Sequence, residues 1–279
     1  MPFDQNLARR NFEKLEKHLS QLSAATSAAE SVHRFRTYSR RVEVLLDEFA
    51  GKPSRNERKL QKLLAKLRKK AGRVRDLDVQ SALLRSLKSP QTPGQKSQLQ
   101  RALIGERVKF EKKLCKAFDK ETVTEIRKRL RRVERDIEIA KNSNPVQAAK
   151  GLLNEVGRDH GPITEPVLHR YRIAVKRARY VTELGGNSGG DYIGEQLRRI
   201  QDTIGDWHDW LLLTERAEKM FGGVQDSPLV AELRNVTRAK FREAARAAGD
   251  VKAIFSPKPA VNTAAESTSL RAQAATSAA

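Results

Sequence analysis

Two segments of this chain carry the same arrangement of bases. VHRFRTYSRRVEVLLDEF from Val32 places His33, Arg36 and Arg40 at i, i+3 and i+7, and VLHRYRIAVKRARYVTEL from Val167 repeats that spacing with His169, Arg172 and Lys176. At ~100° per residue on a helix each set falls within an arc of roughly 80°, and Arg179 falls within the second arc as well. Phe35, Tyr38, Val42, Leu46 and Phe49 lie on the far side of the first segment, and Tyr171, Val175 and Ala178 on the far side of the second. Each segment therefore reads as an amphipathic helix with one cationic face and one face to bury. The two histidines are 136 residues apart in a chain of 279. A repeat at half the chain length implies an internal duplication, so any fold must accommodate two like helical units.

The charge balance then limits the partner. The 55 Lys and Arg against 34 Asp and Glu leave a formal charge of +21, and such an excess opposes compaction unless a counter-charge is supplied. A polyanion is the expected partner. Nucleic acid, an anionic membrane and polymeric phosphate all qualify on charge alone. A single cysteine, Cys115, cannot form an internal disulfide, which fits a reducing compartment. The segment MPFDQNLARRNFEKL has no apolar stretch of signal-peptide length, and no run approaches the ~18 apolar residues of a membrane span. The chain is expected to be soluble and cytoplasmic, without membrane insertion.

In order, the sequence reads as helix after helix. A charged amphipathic helix over Asp4 to Ser20 leads through SQLSAATSAAES into the His33 helix, which Gly51 and Pro53 close. Ser54 with Glu57 three residues on suggests a capping box for a long helix to about Leu87, bent near Gly72. SPQTPG from Ser89 is a break. Two further helices are expected over Gln95 to Phe118 and Glu121 to Lys141, and KNSNP from Lys141 marks the boundary between halves. The second half offers a short helix from Val146 to about His160, the His169 helix ended by GGNSGG from Gly185, and helices over Tyr192 to Phe221 and Ser227 to Val251. The expected organisation is one helical domain over 1–250, with halves at 4–141 and 145–250. The Ala, Ser and Thr composition of 251–279 reads as a disordered tail.

The duplication extends beyond the histidine helices. LRKKAGRVRDLDV follows the first and LRRIQDTIGDWHDW the second; pairing Gly72 with Gly205 sets Arg75 beside His208 and Asp76 beside Asp209, each 133 residues apart. With VHRFRTYSRR and RDLDV in one half and LHRYRIAVKRARY and GDWHD in the other, the chain resembles the CHAD family, the conserved histidine alpha-helical domain. The resemblance covers roughly 4–250. It implies an all-α protein of two similar four-helix halves about a pseudo-twofold axis, with a basic central groove that binds inorganic polyphosphate without catalysis. Some associate with polyphosphate granules on this reading, and no cofactor is implied. The candidate binding residues are His33, Arg36, Arg40, Arg41 and Arg75 from the first half, and His169, Arg172, Lys176, Arg177, Arg179, Arg199 and His208 from the second. The sequence departs from the family where Glu43 replaces a further base and Thr37 and Tyr38 replace small aliphatics, so the second half is the more faithful copy.

Plainer readings stand beside these. A cationic stripe on one helix is usually its solvated face, and only repetition at matched spacing argues otherwise. Lys66, Arg68, Lys69, Lys70 and Arg73 form a charge run that solubility alone would explain. Asp76, Asp78, Asp206 and Asp209 are the carboxylates that could hold a metal ion against a phosphate. The favoured role for Asp76 and Asp209 is support, each fixing a basic side chain from a neighbouring helix. His208 and Asp209 also spell the dyad of HD-type phosphohydrolases, but that site needs further ligands and a dipeptide is a weak signal. No GxxxxGK[ST] loop and no ExExK pattern occurs. No metal site is expected.

Polyphosphate carries about one charge per residue with neither base nor sugar, so a row of guanidinium and ammonium groups meets all its chemistry. Each exposed pair contributes ~1 kcal/mol in water, and affinity has to accumulate along the polymer. Single-stranded nucleic acid asks for aromatic platforms, and aromatics make up only 5% of the chain. Duplex backbone binding is the main alternative, and a metal-dependent phosphohydrolase the second.

Overall fold

The computed structural model describes residues 2–24, 29–88, 93–139, 143–157, 161–185 and 190–251. Parts of the expected breaks at Ser89, Lys141 and Gly185, the end of the helix toward His160, and the tail from 252 on lie outside the described residues. The described residues form nine helices and no strand: α1 (Gln5–Ala24), α2 (Ala29–Phe49), α3 (Arg55–Ser86), α4 (Pro93–Cys115), α5 (Lys120–Asp136), α6 (Pro145–Gly157), α7 (Glu165–Thr182), α8 (Gly190–Phe221) and α9 (Pro228–Gly249). The all-α reading holds, with five helices before the central boundary and four after it. Two isolated bridges, Phe3 with Gly185 and Ala50 with Ile139, tie connections together.

Local chemistry explains the ends that matter for the site. Ser54 caps α3: its hydroxyl accepts from Glu57 N at 3.1 Å, and Glu57 Oε2 accepts from Ser54 N at 2.8 Å, which satisfies two donors the first turn would leave open. α3 then runs unbroken through Gly72 to Ser86. α5 stops at Asp136, short of the expected Lys141, because Ile137 turns to extended backbone. Alternation along that extended piece lets Ile137 and Ile139 both pack on the core while Glu138 stays exposed.

Packing follows a regular scheme. Consecutive helices pair within each part, α1 with α2, α2 with α3, α3 with α4, and likewise α6 with α7, α7 with α8, α8 with α9. Between the parts α2 packs on α7 and α3 on α8. One core cluster runs through both, from Phe12, Phe35 and Leu45 to Tyr171, Val175 and Trp207. A second cluster joins the distal ends of α3 and α4 to those of α8 and α9 through Leu84, Leu99, Leu103, Trp210, Leu213 and Leu233. Each large apolar side chain buried this way contributes ~1.5–3 kcal/mol, enough in sum to hold charged faces close together. α2, α3, α7 and α8 are thereby fixed side by side.

Candidate functional site

The apolar faces set the orientation of the cationic ones. Val32, Phe35, Val42 and Leu46 of α2, and Leu168, Tyr171, Val175 and Ala178 of α7, are buried. The histidine-bearing faces of α2 and α7 must then look outward, toward α3 and α8. The structure brings His33, Arg36, Arg40 and Arg75 from one part together with His169, Arg172, Lys176 and His208 from the other. The leading charged neighbours of Lys176 are the cations Arg172, Arg36, Arg40 and Arg179, drawn from both parts, while Asp76 and Asp209 also lie within reach of its charge. Burial first, and then those neighbours, lower its ammonium from 10.5 to about 8. Burial likewise holds the guanidinium groups of Arg36 and Arg172 below their ordinary value, with Asp76 partly offsetting it at Arg36 and Asp209 at Arg172.

Two carboxylates sit within this cluster. Asp76 Oδ1 lies 4.0 Å from Arg36 Nη2, and the charge of Asp209 acts mainly on Arg172. Desolvation raises both carboxyls, Asp209 to about 6, despite the cations around them. The histidines differ. His33 is lowered by burial and then by Arg75. The His169 and His208 rings stand 5.4 Å apart at 51°. Burial, Arg172 and His169 push His208 down to about 4, so it is neutral at pH 7, and its Nδ1 is buried without a hydrogen-bond partner.

Other candidates go elsewhere. Arg41 Nη2 pairs with Glu183 Oε2 at 2.7 Å, and its guanidinium stacks over Tyr38 and Tyr180. Arg177 pairs with Glu48 and, at 3.6 Å, with Asp47. Both ion-pair sets join α2 to α7. Arg179 lies over Tyr180 at 4.9 Å with Glu183 at 3.5 Å, at the edge of the cluster where its charge still reaches Lys176. Arg199 is exposed on α8, ~180° around the helix from His208 by its spacing of nine residues. Among the other singled-out carboxylates, Asp78 pairs with Arg107, and Asp206 pairs with Lys240 while its charge still reaches Asp209.

Two supporting residues were hidden in the sequence. Arg68, from the charge run, is almost fully buried: it donates to Ser39 Oγ at 3.0 Å and pairs with Glu43, which also accepts from Arg40 Nη1 at 2.8 Å. The departure at Glu43 thus neutralises a buried base and one of the cluster's own. Its spacing of three from Arg40 was the available signal. Gly72 is the second: a methyl group there would collide with Arg36 Nη1, whereas Gly205 has open space. Absence of a side chain lets the Arg36 guanidinium lie against α3. Among the described residues no three His, Cys, Asp or Glu side chains meet as a metal site would need, and no helix is long and apolar enough to cross a membrane.

An all-helical protein with histidines and bases gathered from helices that carry the same motif is the class this architecture defines. The CHAD domain model matches residues 6–218, so the chain belongs to the CHAD family. That match ends near the close of α8, while structural similarity extends further. PptA from Streptomyces chartreusis superposes with a TM-score of 0.65 at 14% identity, covering 92% of this chain and 100% of the other. The CHAD domain from the plant Ricinus communis gives 0.62 at 18% identity, covering 90% and 88%. No curated protein sequence matches significantly.

Proposed function

We propose that this protein binds inorganic polyphosphate, without cleaving or extending it, in a groove lined by His33, Arg36, Arg40, Arg75, His169, Arg172, Lys176 and His208. The observation that carries the reading is the crowding of Arg36 and Arg40 with Arg172 and Lys176. Holding Lys176 charged at pH 7 against a value of about 8 costs on the order of 2–3 kcal/mol, allowing for water at its open side. A bound polyanion would return that energy. Asp76 and Asp209 orient Arg36 and Arg172 and leave the field positive. Exposed aromatic platforms are missing from this cluster among the described residues, since Tyr171 and Tyr180 are buried, which favours a polymer without bases.

The same proposal treats the two parts as copies of one unit about a twofold axis, α1–α4 answering α6–α9. α3 and α8 both have 32 residues, and α4 and α9 have 23 and 22. The ion pairs support it further. Arg41 with Glu183 and Arg177 with Asp47 exchange roles when 136 is added to Arg41 and Asp47, the reciprocity a twofold contact requires. The polymer would then lie across the axis and meet bases from both copies. Cytoplasmic action on granules is part of the same reading.

The test is a competition titration of long-chain polyphosphate against duplex DNA and RNA of equal phosphate content at fixed salt, with free phosphate monitored throughout. Polyphosphate should displace both nucleic acids and remain intact. Preferential retention of duplex DNA would replace the reading with backbone binding, and release of phosphate by pure protein would replace it with hydrolysis.

A further inference from the structure

Beside the basic cluster, α3 and α4 enclose a cavity of about 390 Å³, with Ala29 of α2 at its rim. Leu77 and Leu103 are buried in its lining, and Ala82 and the half-exposed Ile104 flank it from α3 and α4. These apolar walls suit the faces of a flat ring. Arg75, Arg85 and Arg107 bring donors to the lining, and two acceptors in or beside it stand open. Asp78 Oδ1 accepts from Arg107 Nε at 2.7 Å, but Asp78 Oδ2 is buried with no hydrogen-bond partner. Ser81, also in the lining, accepts from Gln100 Nε2, and Gln100 Oε1 is a second buried acceptor without a donor. Buried acceptors left open are unfavourable, so the cavity calls for a group that brings N–H.

Arg75 connects this cavity to the cluster. It lines the cavity, and its charge acts on His33, Arg36 and Asp76. An occupant that satisfies both neighbourhoods has a planar, amino-bearing head and an anionic chain leaving past Arg75. Polyphosphate has the chain and no head. The volume falls in the range of small-ligand sites, roughly 300–1,000 Å³, and at its lower end fits one nucleoside. We infer that the cavity takes the base of a nucleoside polyphosphate, its exocyclic amino group donating to Asp78 Oδ2 and its phosphates running past Arg75 into the cluster. This rests on the polyanion reading of that cluster and assigns its chain-end specificity to α3 and α4.

Calorimetric titration of the full chain in EDTA at fixed salt, with ATP, CTP, UTP and inorganic tripolyphosphate, tests it. Tripolyphosphate carries at least as much charge as the nucleotides, so charge alone ranks it first. The expectation is the reverse: ATP and CTP bind about tenfold tighter than tripolyphosphate, and UTP, lacking the amino group, binds a few-fold tighter. Ala82→Trp and Ile104→Trp fill the cavity from opposite walls at solvent-facing positions. Either should erase the nucleotide preference and leave tripolyphosphate affinity unchanged. Equal or weaker binding of ATP where tripolyphosphate binds measurably, or a preference that survives both fillings, overturns the cavity assignment while leaving the cluster's role intact. If neither nucleotide nor tripolyphosphate nor long-chain polyphosphate binds, the polyanion reading fails and the assignment falls with it.

Discussion

Along α2 and α3 the bases of the cluster are interleaved with acids, whereas along α7 and α8 they are much less so. Asp76 acting on Arg36 has its match in Asp209 acting on Arg172, and the difference is Glu43, which lies between Arg40 and buried Arg68. The matching positions, 136 on from Glu43 and 133 on from Arg68, are Arg179 and Gln201. Lys176, opposite number of Arg40, has cations as its leading charged neighbours. The first wall thus carries one more counter-charge than the second, where more positive charge is left open. Two helix pairs that carry the same motif can differ in electrostatic duty, because a single acid at a contact position changes the local balance by a full charge or more.

The largest effect should come from removing the acid that distinguishes the first wall. Glu43→Gln leaves Arg68 charged, buried and held mainly by Ser39, which costs ~2–3 kcal/mol, near the lower end for breaking a buried pair. Thermal unfolding should show a midpoint lower by roughly 5–10 °C. An unchanged midpoint would mean the two walls do not differ in internal neutralisation.

Next in size is the matched pair Lys176→Ala and Arg40→Ala. Lys176→Ala should weaken polyphosphate binding ~10-fold and lower the salt slope by ~0.7, one phosphate contact. Arg40→Ala should cost only ~2–3-fold, since Glu43 already occupies much of its charge. Equal losses, measured by titration over a series of salt concentrations, would break the comparison.

The pH profile sharpens it. A bound polyanion raises Lys176 above about 8 and the Asp209 carboxyl above about 6. Each group then takes up protons on binding, and its contribution to affinity is full below the free-protein value and lost as pH rises through the value in the complex. Affinity should therefore fall as pH rises above about 6 and again above about 8. Asp209→Asn should shrink the lower step, to which His33 also contributes, and raise affinity at pH 7 a few-fold; a profile identical to wild type would place Asp209 outside the ligand's reach.

Smallest is the glycine pair. Gly72→Ala should push Arg36 off α3 and weaken binding about twofold, whereas Gly205→Ala should leave binding alone and stabilise the helix by ~0.5–1 kcal/mol. Chemical denaturation and binding measured on both variants would decide it, and symmetrical behaviour would contradict the difference in space around the two glycines.

Helical periodicity, the Ser54 capping box and the repeated histidine spacing were legible in the sequence because each depends on positions within about a turn or two of one another, where helix geometry fixes direction. That also made the inward face of α2 and α7, and hence the outward turn of His33 and His169, readable in advance. The fate of neighbouring bases was not. Arg40 and Arg41 differ by ~100° on one helix, and only the docking of α7 sends Arg41 to Glu183 while Arg40 stays with the cluster. Arg177 meets Glu48 and Asp47 across nearly half the chain. Arg68 looked like part of a solubilising run, and Gly72 like a bend. Both meanings depend on what α2 lays against α3, and a contact between helices is set by burial of their apolar faces, which fixes the distance and rotation that no single helix contains.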